Sequence, residues 1–147
     1  MSDFLQELYQ EVIVDHSKQP RNFHGLKDAN HQAHGHNPLC GDNVEIFVSV
    51  ENGAIKDVSF QGEGCAISTA SASIMTEAIK GMSVQQAKQL SSDFREALVN
   101  DQENNLGKLE VLKGVKQYPM RVKCATLAWH TLQAALDEQN TKVSTEE

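Results

Sequence analysis

The sequence is poor in cysteine, with three in 147 residues, and an odd number of thiols builds no paired disulfide framework. A reducing compartment would not favour such a framework in any case. Positive charge is also short: 13 Lys and Arg stand against 20 Asp and Glu, a formal net charge of -7. A polyanion needs a basic face, so no nucleic-acid binding is expected. No apolar run approaches the roughly 20 residues of a membrane span. The opening MSDFLQELYQ carries acids where a secretory leader would carry bases. A cytoplasmic protein without membrane contact is therefore expected. Its acidity suits a basic protein partner and suits plain solubility equally.

What is present reads as alternating short elements. Phe4, Leu5, Leu8, Tyr9, Val12 and Ile13 recur at helical spacing over 3–17, and KQPRNFHG then ends the helix. In the polar stretch 26–42, His31, His34 and His36 alternate as in a short edge strand. Val44, Ile46, Val48 and Val50 alternate in NVEIFVSV, and Asn52-Gly53 signals a type I′ hairpin pairing 43–50 with 54–60. AISTASASIMTEAIKG predicts a helix over 66–80 with Gly81 at its end. Its small residues, Ala66 and Ser68 to Ser73, point to close backbone packing more than to a catalytic serine. Ser83 and Gln86 form a capping box for a further helix, and another is expected to start at SSDFREALV. Residues 100–118 read as loop with a short apolar piece at 109–112, and Pro119 opens a last helix. With no repeat and no second domain visible, a single domain over 1–139 and a polar, flexible tail over 140–147 are expected.

Each cysteine holds a special local position. Cys40 lies in NPLCGD, a loop feeding a strand, Cys65 opens a helix, and Cys124 lies in the first turns of the last helix. Gaps of this length match no short zinc-finger pattern, and a lone Cys is usually a small buried hydrophobe. Three thiolates and Asp42 would nevertheless make the four N/O/S ligands that Zn²⁺ takes. Gly41 permits the bend that would turn Cys40 and Asp42 to one ion. At a helix N-terminus the Cys65 thiolate is favoured by the helix dipole, and Gly62 and Gly64 are expected to let backbone N–H groups approach its sulfur. Such a site would carry a charge of about -2, and Arg121, three residues before Cys124, shares the helix face from which a cation could answer it. Lys123 points about 100° away on the same geometry. His31, His34 and His36 could bind metal, but solvated loop histidines are commoner, and His130 is given no role.

Taken together, NPLCGD, GEGCAISTASASIM, RVKCATLAWHTL and the N-terminal LYQEVIVDHSKQPRNFHGL resemble the IscU/NifU-like family of iron–sulfur cluster assembly proteins, and within it the SufU branch of zinc-dependent sulfurtransferases. The resemblance covers nearly the whole chain. It implies an α+β fold, a small, mostly antiparallel three-stranded sheet covered by helices, with the cysteines at one end. It also implies zinc held by the residues matching Cys40, Asp42, Cys65 and Cys124. Cys40 would be the acceptor of sulfane sulfur from a SufS-type cysteine desulfurase, with the protein acting as co-substrate. Arg121 matches an arginine of the branch and would stabilise the released thiolate or persulfide. The sulfur would pass on to downstream iron–sulfur assembly proteins. The chain departs from IscU scaffolds at Lys123, where they carry a histidine, and in a longer segment around residues 83–115. Both departures weigh against direct cluster assembly. A transient iron–sulfur cluster on the same thiols, as on a scaffold, is the alternative.

Overall fold

A computed structural model describes residues 3–38, 40–99, 106–137 and 142–144. The first helix, α1 (Asp3–Lys18), ends before Pro20, as the sequence predicts. Three strands follow, β1 (His31–Asn37), β2 (Asp42–Glu51) and β3 (Ala54–Glu63), each antiparallel to the next. Asn52 and Gly53 take φ of 54° and 77°, so both central residues of the β2–β3 turn lie in the left-handed region, as a type I′ turn requires. Next come α2 (Ala66–Ile79), α3 (Val84–Val99), a 3₁₀ segment (Gly107–Gln117) and α4 (Pro119–Leu136). The expected α+β fold is thus found. A short strand, β4 (Lys142–Ser144), adds to it in parallel beside β1, which is therefore not an edge among the described residues. The rest of the tail expected to be flexible lies outside the described residues.

Two expectations are corrected. SSDFREALV does not begin a new helix but continues α3, because Ala87, Ser91, Phe94 and Leu98 keep one buried stripe through the Ser-Ser step. The stretch read as loop before Pro119 is largely 3₁₀ helix. There Leu109, Leu112 and Val115 are buried at a spacing of three, the repeat that stacks side chains on one face of a 3₁₀ helix. Residues 100–105 of that stretch lie outside the described residues.

The core forms where Val44, Ile46 and Val48 of β2 and Ala33 of β1 face Leu127, Ala128 and Leu132 of α4. Gly35 sets the distance. A Cβ there would overlap the Thr131 hydroxyl and lie 3.1 Å from the Leu127 side chain, so only glycine lets α4 lie directly on β1. The small residues of α2 serve close packing, as expected, since Ala70, Ser71, Ala72 and Ser73 are buried. Ser71 Oγ donates to the Ala125 carbonyl at 2.5 Å and accepts from Trp129 Nε1 at 3.1 Å, which ties α2 to α4. No described helix is long and apolar enough to cross a membrane.

His16 is the buried titratable group of this packing. Its Nδ1 lies 2.7 Å from Ser73 Oγ, while its fully enclosed Nε2 makes no hydrogen bond among the described residues and stands 3.7 Å from Glu77 Oε1. Burial, then the nearby Lys108 and Arg21 charges, hold its pKa below 6.5, against the opposing pull of Glu77 and Asp15. Burial and Arg95 act the same way on His130. Unfolded chains therefore bind these protons first, and stability should fall as pH drops through the ordinary histidine range. Trp129, the single tryptophan and fully buried, reports unfolding. The urea midpoint should decrease between about pH 7.5 and 5.5, and His16→Gln should shrink that decrease. An unchanged decrease in the variant would remove His16 from the account.

Candidate metal centre

Cys40 occupies the short loop joining β1 to β2. The register pairs Asn37 with Asp42 at its base, so both side chains point to the same face of the sheet, and both are fully buried. Gly41, with φ of 72°, closes the loop in the left-handed region, as its position between two candidate ligands led us to expect. The same sheet face receives α4. From Thr131 over Gly35, the helix face runs back through Leu127 to Cys124, at steps of four and three residues, and this carries the Cys124 thiol to the base of the Cys40 loop. The Cys124 thiol lies 3.3 Å from the Cys40 sulfur, and these two sulfurs and an Asp42 carboxylate oxygen all lie within 4.8 Å of one another.

Cys65 approaches from the other side, at the N-cap of α2, where its sulfur accepts the Ser68 backbone N–H at 3.4 Å. Its own N–H donates to Asp42 Oδ1 at 2.9 Å. The Cys65 sulfur acts on the pKa of both Cys124 and Arg121 but is not within 4.8 Å of all three members of the tighter group. The two glycines before it do a different job from the one expected. Gly62, with φ of 147°, leaves room for the β2 backbone at Asn43, and a Cβ on Gly64 would stand 2.7 Å from Asp42 Oδ1. Space is thus kept for the carboxylate rather than for donors to the Cys65 sulfur.

Arg121 stands in the first turn of α4, where the helix dipole disfavours a cation. The sulfurs answer it: negative charge at Cys65 foremost, then at Cys124, raises the Arg121 pKa, and a hydrogen bond to Cys65 and the charge of Cys40 add to this. Burial, above all, and hydrogen bonds with Cys40, Asp42 and Cys65 push the Cys124 thiol well above its ordinary pKa. Tyr118 and Met120, both more than half exposed, flank Arg121 at this end of the molecule.

Three thiols and a carboxylate are a donor set that Zn²⁺ accepts. Its bonds of about 2.0–2.3 Å place tetrahedral ligand atoms roughly 3.3–3.8 Å apart, against 3.3 Å between the Cys40 and Cys124 sulfurs and no more than 4.8 Å within the Cys40, Asp42 and Cys124 group. These residues could hold such an ion, with Cys65 placed to complete the set. The histidines stand apart. His31 Nδ1 pairs with the Ala135 carbonyl at 2.9 Å, His36 Nδ1 with Asn43 Oδ1 at 3.0 Å, and His130 Nδ1 lies 3.4 Å from Arg95. They join no metal-binding cluster among the described residues. Sequence reasoning passed over Asn37, whose side-chain amide lies 3.4 Å from Asp42 Oδ2 and 3.6 Å from the Cys124 sulfur. The signal was its place three residues before Cys40 in NPLC, at the foot of the loop.

In metal-free protein at neutral pH, Cys124 should be alkylated by iodoacetamide about tenfold or more slowly than Cys40, since only the thiolate reacts and Cys124 is both buried and raised in pKa. Mass spectrometry of partly labelled protein gives the order. Equal rates would contradict the geometry.

Residues 8–125 match the family model described as the NifU-like N terminal domain. The chain is 43% identical over 136 residues to an "iron-sulfur cluster assembly scaffold protein IscU" of Streptococcus pyogenes, covering 90% of this chain and 84% of that protein. It is 41% identical over 138 residues to a "zinc-dependent sulfurtransferase SufU" of Bacillus subtilis, covering 92% of this chain and 93% of the other. A crystal structure from Fervidobacterium islandicum, described as a candidate iron–sulfur cluster assembly scaffold for the SUF system, superposes with a TM-score of 0.83 at 36% identity, over 92% of this chain and 99% of that one.

Proposed function

The chain belongs to the family of NifU-like N-terminal domains, and from that membership we propose that it is a zinc-dependent sulfur acceptor and carrier for iron–sulfur cluster assembly, charged by a SufS-type cysteine desulfurase in the cytoplasm. The observation that carries the reading is the unequal setting of the thiols. Cys40 is partly exposed on a loop, whereas Cys124 and Asp42 behind it are fully buried. Cys65 is partly exposed as well but is fixed at the N-cap of α2, so Cys40 is the exposed thiol carried on a loop toward a partner, with Cys124 and Asp42 as the floor of the site.

In this reading Cys40, Asp42, Cys65 and Cys124 hold zinc, which when bound keeps their sulfurs in the thiolate form. The Cys40 thiolate attacks the terminal sulfur of the desulfurase persulfide. The bond between that sulfur and the donor cysteine breaks, its electron pair leaves with the donor thiolate, and Cys40 becomes the persulfide. Arg121 lies close enough to the three sulfurs to stabilise the anionic thiolate before transfer and the anionic persulfide after it. A guanidinium suits this role because it stays charged at any working pH. Lys123 supports transfer over cluster assembly, since a protonated amine is no metal ligand where scaffolds of the family carry a histidine.

The scaffold reading remains the alternative, because the Streptococcus pyogenes relative carries that name. Metal and sulfide assayed on one sample of protein as isolated separate the two. About one zinc per chain without sulfide is expected, and iron with matching sulfide would replace this proposal by the scaffold. Cys40→Ala should still bind the desulfurase yet take no labelled sulfur from it. Sulfur found on the variant would remove Cys40 as the acceptor.

A further inference from the structure

We propose that Asn37 is the positioning residue of the metal centre, the group that holds Asp42 and Cys124 in one orientation for the ion. The inference rests on the zinc reading above and adds to it a residue that is not itself a ligand.

Asn37 is the last residue of β1, fully buried and paired in register with Asp42 across the loop. It touches three of the four proposed ligands. Its backbone carbonyl accepts the Cys40 N–H at 3.3 Å. Its side-chain Nδ2 lies 3.4 Å from Asp42 Oδ2 and 3.6 Å from the Cys124 sulfur, so its two N–H groups can serve one acceptor each. No other side chain spans the carboxylate of the loop and the thiol of α4 in this way among the described hydrogen bonds.

The chemistry explains why an amide stands here. Asp42 is a buried carboxylate, and one of its oxygens already takes the Cys65 N–H at 2.9 Å. Its other oxygen needs a donor, because a buried charge without hydrogen bonds is costly. Asn37 supplies one without adding charge. Its NH₂ group has no available lone pair, so it does not compete for the metal. A lysine would put a second cation against the ion, and an aspartate a third negative group beside two buried ones. With one donor on each Asp42 oxygen, the carboxylate cannot turn about its last torsion, yet each oxygen keeps a lone pair for coordination. Partners of this kind orient metal ligands, and their loss typically costs about 10–100-fold in metal affinity.

The test uses Asn37→Leu, which keeps the number and branching of side-chain heavy atoms and removes both donors. Zinc affinity is measured by competition with a fluorescent chelator, beside the urea midpoint of the metal-free protein read by Trp129. The expected result is zinc binding about 10–100-fold weaker than wild type, with a metal-free midpoint lowered by the lost donor to Asp42 but a single cooperative Trp129 transition retained. Wild type that binds zinc and N37L that binds it as tightly would overturn this inference alone. Wild type that takes up no zinc would overturn the zinc reading and this inference with it. A second measurement needs no variant. In ¹⁵N-labelled wild type, the Asn37 side-chain N–H pair should exchange slowly with solvent and shift when zinc is added. A fast-exchanging pair indifferent to zinc would overturn the inference even if N37L fails to fold.

Discussion

The missing methyl at Gly35 is the constraint on which the site depends. Because β1 offers no Cβ at that point, α4 lies directly on the sheet, with Thr131 and Leu127 against the strand. The helix then runs toward the β1–β2 loop at a height that places Cys124 3.3 Å from Cys40. A larger residue at 35 would lift the helix, and the thiol two turns away would rise with it. Packing and chemistry are therefore set by one contact. The Ser71 bonds to Ala125 and Trp129 secure the same helix from its other neighbour, α2. With its position fixed from two sides, α4 has little freedom to withdraw its sulfur.

The electrostatics of the site are built from helix ends and one buried acid. Cys65 caps α2, where backbone N–H groups point outward and favour an anion. Arg121 stands at the start of α4, where the same dipole would repel it were the sulfurs not adjacent. Asp42, fully buried, is held by the N–H of Cys65 and the amide of Asn37. Groups that are each poorly placed alone thus become mutually compatible. The geometry draws three distant stretches of sequence into one charged cluster under a thin cover of loop.

Much of this was legible in the residues. Alternation in NVEIFVSV and the Asn-Gly turn predicted the β2–β3 hairpin, and Pro119 and the Ser83/Gln86 box predicted helix starts that are found. These are local signals, set by backbone preferences within a few residues. The failures were also physical. A Ser-Ser pair looks like a helix start, but the buried stripe of α3 overrides that weak preference. The three-residue repeat of Leu109, Leu112 and Val115 fits neither the α nor the β period, so a packed 3₁₀ segment read as loop. At the site, the residue types of Cys40, Asp42, Cys65, Cys124 and Arg121 were visible, and helix geometry alone put Arg121 on the Cys124 face. The role of Gly64 and the place of Asn37 were not visible. Both depend on which atoms face Asp42 across a loop, and no periodicity encodes that.

The loop carrying Cys40 is short and anchored at both ends. Asn37 and Asp42 are buried and paired, and only four residues separate them in sequence. At about 3.3–3.6 Å per extended residue, a tether of this length gives its apex an excursion of no more than roughly 7 Å. Carriers that work by a long swinging arm can visit partners tens of ångströms apart from one resting place. This molecule cannot. Any partner group that meets Cys40 has to bring its own reactive atom almost into van der Waals contact with the same small spot. Two partner groups cannot reach Cys40 at once, so any that share it must come in turn.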